Sequence, residues 1–384
     1  MPDRRRFLLA AAQGLLMVQA GPGSAQQVTS LAGNPLAPWQ PATAASQPDW
    51  RLRAAGWAVL APNPHNRQPW LLELRDADTV VLRCDLGRRL PVTDPHDRQI
   101  TIGLGAFAEL FRMAAAEEGL SVAVHPFPEG RQDGRLDARP VALLRRLPGR
   151  AEADPLFSQT LARRSAKQPF DLARPVDDAR LAALRAVAPG IATTATEAEV
   201  APLRDLLWRA WMVEAEAPAA YLESVQLMRL GQAEVAAQPD GISLWGPALE
   251  PLVASGALTR QSLTTAGSQA QQMMIGSYRQ MIAATPTVIW TTSSGDTKAA
   301  AFAAGRDWLR LNLTATALGL ALHPVSQALQ EYPEMAAPFA ALHQMLGVAA
   351  PARLQMLGRV GFLPAGRSAT ATPRWPATSR IMGG

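Results

Sequence analysis

Cysteine is nearly absent: Cys84 is the single one in 384 residues. It cannot close an intrachain disulfide, and alone it cannot hold zinc or an iron–sulfur cluster, so redox chemistry in this chain has to come from a bound organic cofactor. Histidine is scarce too. His65, His96, His125, His323 and His343 stand far apart, with no H-x-x-x-H or H-x-E arrangement, which argues against a metal centre. Neither a G-x-S-x-G elbow nor a P-loop occurs, so hydrolase and NTPase chemistry lose their usual signatures. After the first residues no run approaches the roughly 18 apolar positions of a membrane span, which excludes permanent membrane insertion of the mature chain. A strong charge of one sign is missing as well. Of the formal +5, residues 1–25 supply +2 (Arg4, Arg5 and Arg6 against Asp3), and the remaining +3 argues against nucleic acid as a partner.

What is present is a chain with 48% hydrophobic residues, long enough for two domains or one large duplicated core. Asp3-Arg4-Arg5-Arg6-Phe7-Leu8-Leu9 sets charge directly before a short apolar stretch, Leu8 to Val18. Small residues, Gly23-Ser24-Ala25, follow as a cleavage site. Residues 1–25 thus read as an export signal, and the paired arginines resemble the twin-arginine type, which implies a periplasmic protein handled by the twin-arginine export machinery. Residues 26–48, rich in Pro, Ala, Gln, Ser and Gly without periodicity, read as a flexible linker.

From Trp50 the pattern mixes helices and strands. A short helix over 51–60 precedes strands at 70–74 and 79–83. A strong helix spans 100–118, with Leu104, Phe107, Ala108, Phe111, Ala114 and Ala115 on one face and Gly119 as its stop. Strands follow at 121–125 and 140–144, and the polar break at 148–154 divides a first half, 49–150, from a second, 151–375, with a tail at 376–384. The second half reads as helices at 155–164, 178–186, 202–216 and around 273–282, a buried strand at 287–290, a helix at 298–318 and a last strand at 353–362. The expected class is α+β: a three-layer arrangement in which helices flank a mixed β-sheet. Gly103-Leu104-Gly105-Ala106-Phe107-Ala108 meets G-x-G-x-x-A. The polar residues 94–99 before it cannot form the buried strand of a dinucleotide fold, and glycines for helix packing are the simpler account.

Ala61-Pro62-Asn63-Pro64-His65-Asn66-Arg67-Gln68-Pro69-Trp70 sets three prolines and three amide side chains between a helix and a strand. Such a loop is stiff and suits hydrogen bonding to a planar polar ligand; read without other information, an ordinary rigid turn is the simpler account. Arg163-Arg164-Ser165-Ala166-Lys167 offers guanidinium forks and a hydroxyl to a dianion, or is a solvated basic helix end. Trp208, Trp211 and Met212 lie at helical spacing and read as core. Met273, Met274, Tyr278 and Met281 form an adaptable stripe, and the Trp245-Gly246-Pro247 region is a candidate lid.

The 61–70 stretch resembles the A-P-S-x-x-N-x-Q-P-W signature of the nitroreductase family of FMN enzymes, departing where Asn63 and Pro64 stand. Arg163–Lys167 is similar to that family's R-R-S-x-[RK], and 305–327 and 356–361 resemble its late helix and last strand. The order of the two motifs is reversed relative to ordinary members and resembles the Acg-like branch, whose chains hold two nitroreductase-like halves in tandem. That resemblance implies a nitroreductase-like fold, a monomer that is an internal pseudo-dimer, and one FMN between the halves. Arg163, Arg164, Ser165, Lys167 and Arg374 would hold the phosphate end. Pro62, Asn63, Pro64, Asn66 and Gln68 would position the ring, and Ser326 and Gln327 would place backbone beside its reactive edge. No side chain need be catalytic, since the flavin carries the chemistry. The implied activity moves electrons from an unidentified donor to a small planar acceptor, a quinone or nitroaromatic. Two alternatives remain at this point: an FMN storage or sequestering protein with little turnover, and a degenerate interaction protein without flavin.

Overall fold

The computed structural model describes residues 34–130 and 134–383; the export segment falls outside them. Among the described residues no helix is long and apolar enough to cross a membrane. Two four-stranded antiparallel sheets carry the fold. In chain order, the first half contributes helices α1 (Pro41–Ala45) and α2 (Trp50–Ala58), strands β1 (Trp70–Asp76) and β2 (Thr79–Cys84), helix α3 (Arg98–Glu117), and strands β3 (Leu120–Pro126) and β4 (Ala142–Arg150). Its strands run β1-β2-β4-β3 across the sheet. The second half begins with helix α4 (Asp178–Arg185) and strand β5 (Ile191–Thr194). An inserted cover follows, comprising α5 (Glu197–Glu216), α6 (Pro218–Gln226), β6 (Met228–Leu230), α7 (Gly231–Ala237), β7 (Ile242–Leu244), α8 (Glu250–Ala254), α9 (Arg260–Thr264) and α10 (Gln269–Ala283). Then come β8 (Thr287–Ser293), α11 (Lys298–Ala317), β9 (Ala321–Pro324), α12 (Ala336–Met345) and β10 (Arg353–Gly361). This second sheet is ordered β5-β8-β10-β9, and β6 and β7 form a small parallel pair.

Counted within each half, both sheets read first-second-fourth-third, with a long helix between the second strand and the third. Those helices, α3 and α11, have 20 residues each and are followed by Gly119 and Gly319, whose φ values of +74° and +70° permit the turn out of the helix. They pack on each other at paired glycines. A Cβ on Gly105 would sit 1.9 Å from the carbonyl oxygen of Phe302, and one on Gly305 would sit 2.0 Å from that of Ile102. Only hydrogen at both positions lets the backbones approach this closely. The glycine-packing reading of 103–108 is what the crossing uses. Each helix also lends side chains to the opposite core: Phe302, Leu309 and Leu313 join the first-half cluster, and Ile102 joins that of the second sheet.

Local chemistry starts the elements where they start. At α3 the buried Asp94 carboxylate accepts from the amides of Gln99 and Ile100, at 3.1 and 2.9 Å, taking up donors that have no partner within the helix. At α11 the Thr297 hydroxyl accepts from Ala300 N. The 155–164 stretch differs from the expected helix: it is a 3-10 turn over Pro155–Gln159 followed by irregular chain, and this turns Arg163 inward. Strand β4 likewise continues to Arg150, into the expected polar break, because it pairs along the whole of β3.

The two ends also depart from expectation. Residues 34–48 are not a flexible linker: Ala37–Trp39 is a 3-10 turn and α1 follows it, because Trp39 is buried and its indole N–H donates to Thr372 O at 2.8 Å. Nor is 376–384 a loose tail through residue 382. Ile381 bridges Leu72 at the edge of β1, Met382 N donates to Leu72 O, and Ala377 is buried in the first-half core.

Candidate functional site

Between the halves lies a cavity of about 230 Å³. Its lining draws on Trp39, the 61–70 loop, the 163–167 turn, α3, the cover, the 323–330 segment and residues 370–374.

The 61–70 loop is held in a conformation that ordinary residues avoid. His65, Asn66 and Gln68 have φ values of +46°, +52° and +50°. Such backbone persists only where its surroundings determine it. Here Asn63 Oδ1 accepts from Gln68 N at 2.7 Å, and Gly103 on α3 leaves room where a Cβ would fall 3.0 Å from that of Asn63. Gln68 is the anchor. It is fully buried, with Nε2 donating to Pro239 O at 2.6 Å and Oε1 accepting from Trp375 N at 2.8 Å, and it is not among the lining residues. Its assignment as a cofactor ligand is therefore corrected: it ties the loop to the cover and to the 370s, and both ends of its amide are spent. Pro62, Asn63, Pro64 and Asn66 do line the cavity.

The basic turn is fixed from beneath. Ala166 N donates to Leu322 O at 3.0 Å, and the fully buried Arg359 donates to the carbonyls of Ala166 and Gln168. Arg163, Arg164, Ser165 and Lys167 all reach the cavity, as does Arg374. Arg163 donates through Nη2 to Leu60 O at 2.8 Å, while its buried Nε has no partner. Arg374 donates to Val59 O at 2.8 Å and to Asn66 Oδ1. The three guanidiniums gather about the Trp39 ring, 6.0, 4.4 and 5.7 Å from its centroid for Arg163, Arg164 and Arg374.

No carboxylate among the described residues neutralises this group. Burial and the neighbouring Arg164 push Arg163 down to about 9, and burial together with Arg163 and Arg164 holds Arg374 well below its usual range. Lys167, which lines the cavity, is also lowered by the protein packed around it. Burial and the nearby cations keep both cavity histidines neutral, His65 at about 4 and His323 well below its ordinary value. Four uncompensated cations on one wall make an anion site.

Ser326 and Gln327 line the cavity where β9 ends. The Ser326 hydroxyl is turned onto Leu357 O at 3.2 Å.

Several lining residues escaped the sequence reading. Trp211, read as core, belongs to the cover's core and also faces the cavity with Met274 and Tyr278. Glu214, Tyr221, Ser224 and Gln330 were not singled out at all. Glu214 had a visible signal, since it continues the buried stripe of Leu203, Leu207, Ala210 and Trp211 as an acid on an apolar face. Trp39 and Thr372 had none.

No protein-family model matches the chain. A Mycobacterium tuberculosis protein carrying the provisional name NAD(P)H nitroreductase acg is 41% identical over 71 residues, which span 18% of this chain and 21% of that protein. The chain thus matches about a fifth of that relative's length. Among solved structures, a nitroreductase-like family protein from Bacillus cereus aligns over 60% of this chain and 97% of its own, at 13% identity and a TM-score of 0.33. The FMN-dependent nitroreductase NfnB of Mycobacterium smegmatis aligns over 56% and 92%, at 17% identity and a TM-score of 0.33.

Proposed function

We propose that this chain binds FMN between its halves and acts as a nitroreductase-like oxidoreductase. The observation that carries the reading is the cation wall: Arg163, Arg164, Lys167 and Arg374 converge on one cavity with no carboxylate paired to them among the described residues, and the buried Arg163 Nε has no partner there. The residues present therefore fit the phosphate of such a cofactor. Resemblance to Acg-like nitroreductases in the 61–70 loop and the 163–167 turn makes it a flavin phosphate in particular.

When bound, FMN supplies two-electron transfer. The protein's part is to bind, orient and exclude. Arg163, Arg164, Ser165, Lys167 and Arg374 hold the phosphate end. Asn63 and Asn66, on a loop whose backbone has little freedom left to lose, set the position of the ring with Pro62 and Pro64. Ser326, its hydroxyl already engaged, offers backbone, as does Gln327. Neutral His65 and His323 add no charge beside the cations. The acceptor is a small planar molecule, a quinone or nitroaromatic, and the donor is a separate molecule. One basic turn and one proline loop imply one flavin per chain, in a monomer whose halves (49–150 and 151–375) stand in for two subunits. The N-terminal segment supports export to the periplasm by the twin-arginine route.

A second reading, flavin storage with little turnover, is favoured by the cover, whose α5, α6 and α10 line the same cavity. The test is the absorbance spectrum of the purified mature protein, with the released chromophore identified. About one FMN per chain supports the site, and turnover with quinones then separates enzyme from store. Colourless protein that also refuses added FMN overturns both readings.

A further inference from the structure

One part of the cavity is unlike the cation wall and is not used by the flavin reading. It is built by the cover. Trp208, Trp211 and Tyr278 form a near-parallel stack, with centroids 5.4 Å apart at 16° and then 4.6 Å apart at 20°. The Arg279 guanidinium lies 5.7 Å from the Trp208 centroid and caps that end, while Trp211 and Tyr278 line the cavity. Flat aromatic walls of this kind accept another planar ring.

The polar groups beside them are acceptors. The Glu214 carboxyl takes a hydrogen bond from Ser224 Oγ at 2.9 Å and another from Gln330 Nε2 at 3.3 Å, with no cation among the described residues paired to it. Gln330 Oε1 is buried and has no partner. Of the donors nearby, Ser224 is committed to Glu214 and the Tyr221 hydroxyl to Leu263 O at 2.7 Å, while the buried Tyr332 hydroxyl has no partner among the described residues. A buried amide oxygen without a donor is costly, and a ligand that brings one removes the cost. In the flavin-free chain the four cations of the same cavity oppose a further positive charge, so a neutral donor suits the recess.

We propose that this recess binds a neutral phenol, its ring packed against the Trp211–Tyr278 wall and its hydroxyl donating to Gln330 Oε1. The inference deepens the flavin reading and rests on it for any place in turnover; the binding itself needs only residues of this chain.

Calorimetric titration of the full protein, flavin-loaded and flavin-stripped, with 4-methylphenol and with 4-fluorotoluene tests it. The second probe has nearly the same shape and no hydroxyl. The phenol should bind about ten-fold more tightly. Gln330→Leu should erase most of that difference while leaving 4-fluorotoluene unchanged, and Trp211→Leu should weaken both. Circular dichroism checks that each variant folds, and the two-probe comparison on the unmodified protein needs no variant. Equal binding of the probes, or no phenol binding by folded protein, overturns the proposal. Discrimination by a chain that takes no FMN would sustain the phenol site while the flavin reading falls; FMN uptake without discrimination would do the reverse.

Discussion

The two halves share a sheet order and the placement of their long helix, but differ at one joint. In the first half β1 passes to β2 through the turn at Ala77 and Asp78. In the second, the equivalent step from β5 to β8 carries the whole cover, α5 to α10 with β6 and β7. The frame is therefore repeated, and the cavity acquires its aromatic wall where the repetition fails. The aromatic wall thus comes from what stands between two strands, while the cation wall comes from segments outside that insertion.

The largest expected effect probes the shared part. Gly105→Ala and Gly305→Ala each drive a Cβ into a backbone carbonyl, and each should cost more than about 3 kcal/mol in urea-induced unfolding. Similar losses would support equivalent halves; a large loss at one glycine alone would break the comparison. Next come substitutions that separate site from support. Arg163→Ala should weaken FMN binding about 100-fold, roughly 2–3 kcal/mol, as measured by fluorescence titration. Arg67→Ala should instead lower stability and spare affinity, because Arg67 pairs with Asp240 at 3.4 Å and does not line the cavity.

A smaller effect is pH-dependent. His65 titrates at about 4 in the folded chain, against 6.5 unperturbed, because burial and the nearby Lys167 and Arg67 oppose its charge. The unfolded chain takes up the proton first on acidification. This contribution to stability is thus present above pH 6.5 and is lost as pH falls towards 4, by about 1–2 kcal/mol after allowance for partial exposure. His65→Asn, which tolerates the positive φ, should flatten the stability-versus-pH curve over that range relative to the unmodified protein. Smallest is Tyr221→Phe, which removes one hydrogen bond within the cover. About 1 kcal/mol should be lost, and hydrogen exchange should rise in the cover alone.

Legibility in the sequence followed the range of the interactions. Proline stiffness and guanidinium chemistry, which act within a few residues, drew attention to the 61–70 loop and the 163–167 turn, but left each with an ordinary structural account until the resemblance to nitroreductase motifs singled them out. The core-facing stripe of α3 and its glycines were readable through helical period. Gln68 was placed wrongly for a physical reason: an amide that binds ligand and an amide that pins a loop are the same residue type, and only the position of Pro239 and Trp375 decides between them. Residues 34–48 looked like a linker because their order comes from Trp39 meeting Thr372, 333 positions away. Glu214 was legible in principle as an acid on an apolar stripe, but its significance depends on Gln330, from another segment.

The closure of the anion wall has a kinetic corollary. Arg374 reaches Val59 across 315 positions and Asn66 across 308. Contacts of such separation are slow to find, since the entropy of a very large loop is lost before they form. The two sheets form within their own halves and need no such closure. In stopped-flow refolding with FMN present, quenching of flavin fluorescence should lag behind the recovery of far-ultraviolet circular dichroism. The anion site is then the last part of the molecule to exist and the first to be lost when the chain loosens.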